Sequence, residues 1–171
     1  IVYYLIIPIS FGDCKPCFFK GESELKTIML ENPGQMNLIE TDAPQAPGTD
    51  EVLVRVERVG ICGTDLHAFA GNQNFFSYPR ILGHELAVSI ESIGTTSQDH
   101  NLVVGDICCV VPYLFCGTCI ACRHGKTNCC VNMQVLGVHT DGGMRERFLL
   151  PIDKLLKADD ITTDELALVE M

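Results

Sequence analysis

Tryptophan is absent from the 171 residues, and aromatic residues make up only 7%. Basic residues are scarce, with 12 Lys and Arg against 22 Asp and Glu, a formal net charge of −10. Phosphate backbones and anionic membrane surfaces are held by clustered cations, so neither nucleic acid nor a membrane is expected as a partner. No hydrophobic run is long enough for a bilayer span: Ile1–Ile9 is apolar but short, and Pro8 interrupts it. That stretch also lacks the basic region and small-residue cleavage site of a secretory signal. Missing too are Gly-x-Gly-x-x-Gly, a Walker A sequence and an alternating βα rhythm. Nothing in the chain therefore cradles a dinucleotide by the usual glycine loop.

What is present can bury a core, since 47% of the residues are hydrophobic. From Lys26 onward the pattern is one of short strands and turns. Thr27–Leu30 and Met36–Ile39 flank the turn signal Asn32-Pro33-Gly34, and residues 43–50 read as a loop. Glu51–Val59 alternates at period two with Val52, Val54 and Val56 on one face. Leu86–Ile93, Ile107–Val111 and Arg147–Leu150 are further β-rich segments. The expected fold class is mainly β with short helices, a barrel or sandwich. Residues 1–25 are expected to lie outside the domain, as an N-terminal extension, and 26–171 to form it. Asp164–Met171 reads as a helix opened by a Thr162/Glu165 capping box and cut off early, so the chain is read as a fragment.

Ten cysteines are the strongest signal. Cys116, Cys119 and Cys122 stand at intervals of three, and Cys130 follows after seven further residues. Each Cys-x-x-Cys turns two thiolates toward one metal, and four sulfurs close a tetrahedron with no open position. A structural site, with zinc or an iron–sulfur cluster as candidates, is expected over 113–133, where the sequence offers little core. Disulfides would need an oxidising compartment, for which no export signal speaks. Spacing alone does not choose between Cys129 and Cys130 as the fourth ligand. Cys108 and Cys109 lie in an apolar strand and read as buried thiols. Cys14 and Cys17 are given no role.

A second constellation begins at Gly60-Ile61-Cys62-Gly63-Thr64-Asp65-Leu66-His67 and resumes at Tyr78-Pro79-Arg80-Ile81-Leu82-Gly83-His84-Glu85. It offers a thiolate, imidazoles and carboxylates from two segments, a donor set suited to a zinc with an open position.

Together, the two constellations resemble the zinc-dependent medium-chain dehydrogenase/reductase (alcohol dehydrogenase) family, specifically its GroES-like β-barrel catalytic domain with a structural zinc lobe. The resemblance covers about residues 26–171 and is strongest to polyol and sugar-acid dehydrogenases of the sorbitol and galactonate types. It implies Cys62 and His84 as ligands of a catalytic zinc, with Glu85 or Glu170 supplying the carboxylate directly or through water. It implies Asp65 as the group that orients His84, and Thr64 and His67 as a proton relay. It selects Cys130, with Cys116, Cys119 and Cys122, for the structural zinc. One departure is Val88, which stands where the family has a glycine, and a β-branched side chain there is expected to crowd a close approach.

The resemblance further implies NAD or NADP as hydride acceptor, carried on a Rossmann domain beyond residue 171, and a small-molecule polyol or sugar-acid substrate. A cytoplasmic location and a homo-oligomeric full-length enzyme are expected on the same ground, and this fragment alone is expected to be inactive. The competing reading is a stand-alone zinc-binding or interaction module without chemistry.

Overall fold

The computed structural model describes residues 5–8 and 24–169. Its strands in chain order are β1 (Leu5–Pro8), β2 (Glu24–Asn32), β3 (Gln35–Asp42), β4 (Glu51–Ile61), β5 (Arg80–Ile81), β6 (Glu85–Ile93), β7 (Ile107–Val110), β8 (Tyr113–Leu114), β9 (Gln134–Val135), β10 (Arg147–Pro151) and β11 (Leu155–Lys157). Three short helices join them: α1 (Gly63–Phe69), α2 (Ile120–Arg123) and α3 (Thr163–Ala167). The mainly β expectation holds, and the segments read as strands from the sequence coincide with parts of β2, β3, β4, β6, β7 and β10, save that β7 ends one residue early, at Val110. Among the described residues no helix is long and apolar enough to cross a membrane.

The main sheet runs β1-β4-β6-β7-β11, and β10 pairs with the first half of β4. Within the stretch expected to lie outside the domain, β1 pairs antiparallel with residues 58–61 of β4. A second sheet, β3-β2-β5, starts as a hairpin whose two-residue turn places Gly34 at φ +76°. Glycine reaches that conformation at no steric cost.

Alternation along β4 buries Val52, Val54 and Val56, as its period predicts. The alternation then breaks, because the β4–β6 register shifts between Val56 and Arg58. Residues 85–90 of β6 are all buried, since the strand is covered on both faces. On one face lies the main core, including Val54, Val88, Cys108 and Phe148. On the other, Ala87 and Cys109 meet Leu166 and Ala167 of α3. Cys108 and Cys109 are thus buried thiols as expected, and burial pushes Cys108 up to about 12. Val88 is fully buried opposite Val56 and Cys108. The bulky side chain that was expected to crowd a backbone approach serves instead as core.

Two local expectations change. The helix read over Asp164–Met171 ends at Ala167, where the N–H of Leu168 folds back on Glu165 and Leu166 carbonyls. The segment after Cys62, not read as regular from sequence, is α1. Cys14, Cys17, Glu170 and Met171 lie outside the described residues.

Candidate metal centres

Cys62 ends up at the junction of β4 and α1, where the strand must give way to a helix. Its Sγ accepts the Thr64 N–H at 3.3 Å, and its own N–H donates to Asp65 Oδ2 at 3.0 Å. The second contact, together with the Asp65 N–H donating back to the Cys62 side chain, forms a capping box in which a thiol replaces the usual hydroxyl. Asp65 is thereby pinned, with its second oxygen facing His84.

His84 enters from the other segment. Gly83 before it takes φ +93°, and the backbone of Gly142 and Gly143 is hydrogen-bonded to the carbonyls of Ile81 and Gly83. The turn aims His84 Nε2 at Cys62 Sγ, 3.0 Å away, while Nδ1 lies 3.8 Å from Asp65 Oδ1. Glu85 opens β6 beside it. The ligand atoms of Cys62, His84 and Glu85 all lie within 4.8 Å of one another. His84, Glu85 and Asp65 are each at most 5% exposed.

This set fits a divalent metal. His84 Nδ1 and Asp65 Oδ1 are buried without a hydrogen-bond partner, and 3.8 Å is too long for one between them. Burial, then the charge of Asp65, pushes the Cys62 thiol above its ordinary value, so the thiolate form calls for a nearby cation. A ligating imidazole is held by donating its other nitrogen to a carboxylate, which is where Asp65 stands. Thiolate, imidazole and carboxylate together suit zinc.

The second centre is built within one loop. Cys119 caps α2 by accepting the Cys122 N–H, and the Cys116 N–H donates to Cys130 Sγ at 3.3 Å. The Cys119–Cys122 and Cys116–Cys130 sulfur pairs are each 3.5 Å apart. Tetrahedral zinc with Zn–S bonds of about 2.3 Å spaces its sulfurs about 3.8 Å apart, whereas a disulfide holds them at about 2.05 Å. These cysteines are free, and all four sulfurs lie within 4.8 Å of one another. Cys129, the competitor that spacing left open, is exposed and outside the cluster. Among residues 113–133 Cys130 alone is buried, so the lobe has sulfur where a domain has apolar core.

The charge balance of the lobe asks for a cation as well. Backbone N–H groups of Thr118 and Cys119 pull Cys116 down to about 5. Burial and the neighbouring Cys119 push Cys122 up to about 12. Amides aimed at the sulfurs favour thiolates, while crowding opposes the last of them.

Thr64 is half-buried in the first turn of α1, and His67 is exposed one turn later. Their i, i+3 spacing puts both on one helix face. Glu170 lies outside the described residues, so the geometry assembles three of the four residues expected around the catalytic metal. Sequence reasoning passed over Gly60, which lies directly across from Glu85. A glycine inside a strand is the signal that would have found it.

Comparison with known proteins agrees with this architecture. The family model of the alcohol dehydrogenase GroES-like domain matches residues 48–160. L-galactonate-5-dehydrogenase of Escherichia coli (strain K12) is 42% identical over 148 residues, 86% of this chain and 43% of the relative. The crystal structure of an alcohol dehydrogenase (rspB) from Escherichia coli CFT073, complexed with NADH, superposes with a TM-score of 0.74 at 37% identity, covering 85% of this chain and 41% of that one. Galactitol-1-phosphate dehydrogenase from Escherichia coli superposes with a TM-score of 0.76 at 29% identity, covering 85% of this chain and 41% of that one. The chain thus spans well under half the length of these proteins.

Proposed function

This chain belongs to the alcohol dehydrogenase GroES-like domain family, and on that premise we propose that it is the catalytic part of a zinc-dependent NAD(P) dehydrogenase acting on a secondary hydroxyl of a polyol or sugar acid. The observation that carries this reading is the buried Cys62, His84 and Glu85 triad, its donor atoms within 4.8 Å, beside the half-open Thr64. The likeness to galactonate and galactitol-phosphate dehydrogenases supports the polyhydroxylated substrate class.

Cys62, His84 and a carboxylate from Glu85 or Glu170 would hold the catalytic zinc, and Cys116, Cys119, Cys122 and Cys130 the structural one. Bound there, zinc supplies Lewis-acid polarisation of the substrate hydroxyl. Asp65, whose Oδ1 lies 3.8 Å from His84 Nδ1, would orient the His84 ring so that Nε2 is left to the metal. The proton released from the substrate hydroxyl passes to the Thr64 hydroxyl and on to His67, which is open to solvent. Imidazole suits that last transfer near neutral pH. NAD or NADP, which a part of the enzyme outside this chain would bind, would supply the hydride acceptor.

The test has two arms. Metal analysis of the purified chain is expected to give two zinc per molecule, falling to one in Cys62→Ser. The longer enzyme containing this chain is expected to reduce NAD or NADP with a sugar acid or polyol and to lose that activity in His84→Ala. A chain with no zinc, or reduction that survives His84→Ala, overturns the reading.

A further inference from the structure

Resting on the barrel metal centre proposed above, we propose that Gly60 is a positioning residue whose missing side chain makes the space in which the Glu85 carboxylate is held against the metal. A methyl group built on Gly60 falls 2.4 Å from Glu85 Oε2 and 2.9 Å from Glu85 Cβ, with the Ala167 carbonyl oxygen at 3.3 Å. The first two separations are far inside contact distance. Any side chain at position 60 therefore pushes Glu85 away or parts β4 from β6.

The juxtaposition follows from the register. In an antiparallel pair, directly opposed residues project to the same face. Before the irregularity in β4, Val56 opposes Val88; after it, Val59 opposes Leu86 and Gly60 opposes Glu85. The pair opens with Val52 opposite Ile93, and that opening register run on also sets Gly60 opposite Glu85. An irregularity between Leu53 and Val54 displaces the pairing by one, and the extra residue Glu57 restores it, so that the glycine stands opposite the carboxylate. Bulges next to sites re-aim side chains in this way.

Backbone conformation gives no other reason for glycine here. Gly34, Gly71, Gly83, Gly105, Gly117, Gly125 and Gly137 take positive φ, and Gly60 does not. Position 60 is a strand position that alanine or valine would occupy with better intrinsic stability. A buried strand glycine without a conformational demand marks a close approach, and what approaches is a buried carboxylate beside Cys62 and His84.

The test measures zinc affinity at the barrel centre by competition with a chelator, with the lobe zinc of the same molecule as internal reference. Gly60→Ala is expected to weaken the barrel centre by about tenfold or more, the range typical of lost ligand support, and to leave the lobe zinc unchanged. Glu85→Gly removes both the carboxylate and the Cβ that position 60 would strike. In that background Gly60→Ala is expected to leave barrel affinity unchanged and not to lower the melting temperature, and the Glu85→Gly background restores folding should Gly60→Ala alone fail to fold. Wild-type affinity in Gly60→Ala overturns the proposal, as does a double variant weaker than Glu85→Gly by the same factor as the single change. A wild-type chain carrying only the lobe zinc instead overturns the metal centre itself, and that outcome is visible before any variant is made.

Discussion

The lobe and the barrel centre solve the same problem, keeping anionic donors together, from opposite starting points. The lobe draws four sulfurs from one stretch of chain, 116–130, and around them almost nothing is buried. The barrel centre takes three different donor types from the end of β4 and the start of β6, inside a core that exists for other reasons. On the metal assignment proposed above, the lobe's metal would make its structure. At the barrel the structure must make the metal site. The difference predicts where stability and function come apart.

Removing one sulfur from the lobe should have the largest effect. With structural zinc, binding free energy is folding free energy, on the order of 10 kcal/mol in small zinc modules. Cys116→Ser is expected to release one zinc per chain and to abolish hydrogen-exchange protection across 116–130. The unfolding transition of β4 and β6, followed by exchange of their amides, should survive. Joint collapse of lobe and barrel would erase the distinction drawn between them.

The reciprocal experiment weakens the barrel through its core. Val88 is fully exchanged for core contacts, with 0% exposure between Val56 and Cys108. Val88→Gly is expected to cost about 2–4 kcal/mol through lost burial and added strand flexibility. Urea unfolding should show that loss whether or not zinc is present, and the lobe should keep its zinc. A neutral result would mean that the core near β6 is looser than its burial indicates.

The two centres also differed in how far they could be read from sequence, for a physical reason. The lobe cysteines are local, so the spacing of Cys116, Cys119 and Cys122 already shows which sulfurs can share a metal, and the fold adds Cys130 rather than Cys129 to their cluster. The period-two valines of β4 were equally legible, because alternation needs only one strand. The barrel centre depends on pairing between strands. Residues 62 and 84–85 could be joined only by resemblance, since no rule of spacing brings them together. The opposition of Gly60 and Glu85 was not legible at all, because it depends on the register between two strands, across two irregularities, which local pattern does not encode. Helix α1 was missed because its cap is a cysteine, outside the residues that usually announce a helix start.

Asp65 tests whether the barrel donors are preorganised by protein. Asp65→Asn keeps one oxygen to accept the Cys62 N–H and cap α1 but removes the charge facing His84 Nδ1. Barrel zinc affinity is expected to fall by about 10–100-fold with lobe zinc untouched, read by chelator competition. An equal fall at both centres would point to general loosening instead.

The smallest effect belongs to α3, which packs Leu166 and Ala167 against Ala87 and Cys109 and brings the Ala167 carbonyl up to Gly60. Its five residues are tied down at the start by Thr162 and Glu165. Glu165 Oε2 accepts the Thr162 N–H at 2.9 Å and its hydroxyl at 2.8 Å, and the Glu165 N–H returns to Thr162 Oγ1 at 3.2 Å. The backbone and side-chain donors of Thr162 hold the Glu165 carboxyl below its ordinary 4.5. A carboxyl lowered by folding stabilises the native state above 4.5 and stops doing so as pH falls through its folded value. Thr162→Ala is therefore expected to cost about 1 kcal/mol at pH 7, measured as a shift in the urea midpoint. That deficit should shrink as pH falls below 4.5 and through the folded value of Glu165, whose protonation loosens the wild-type cap as well. A deficit constant with pH would show that Thr162 acts without its carboxylate partner. Barrel zinc affinity measured alongside would show how far the stability of this last turn is felt at the metal, through a helix that touches β6 from the face opposite the main core.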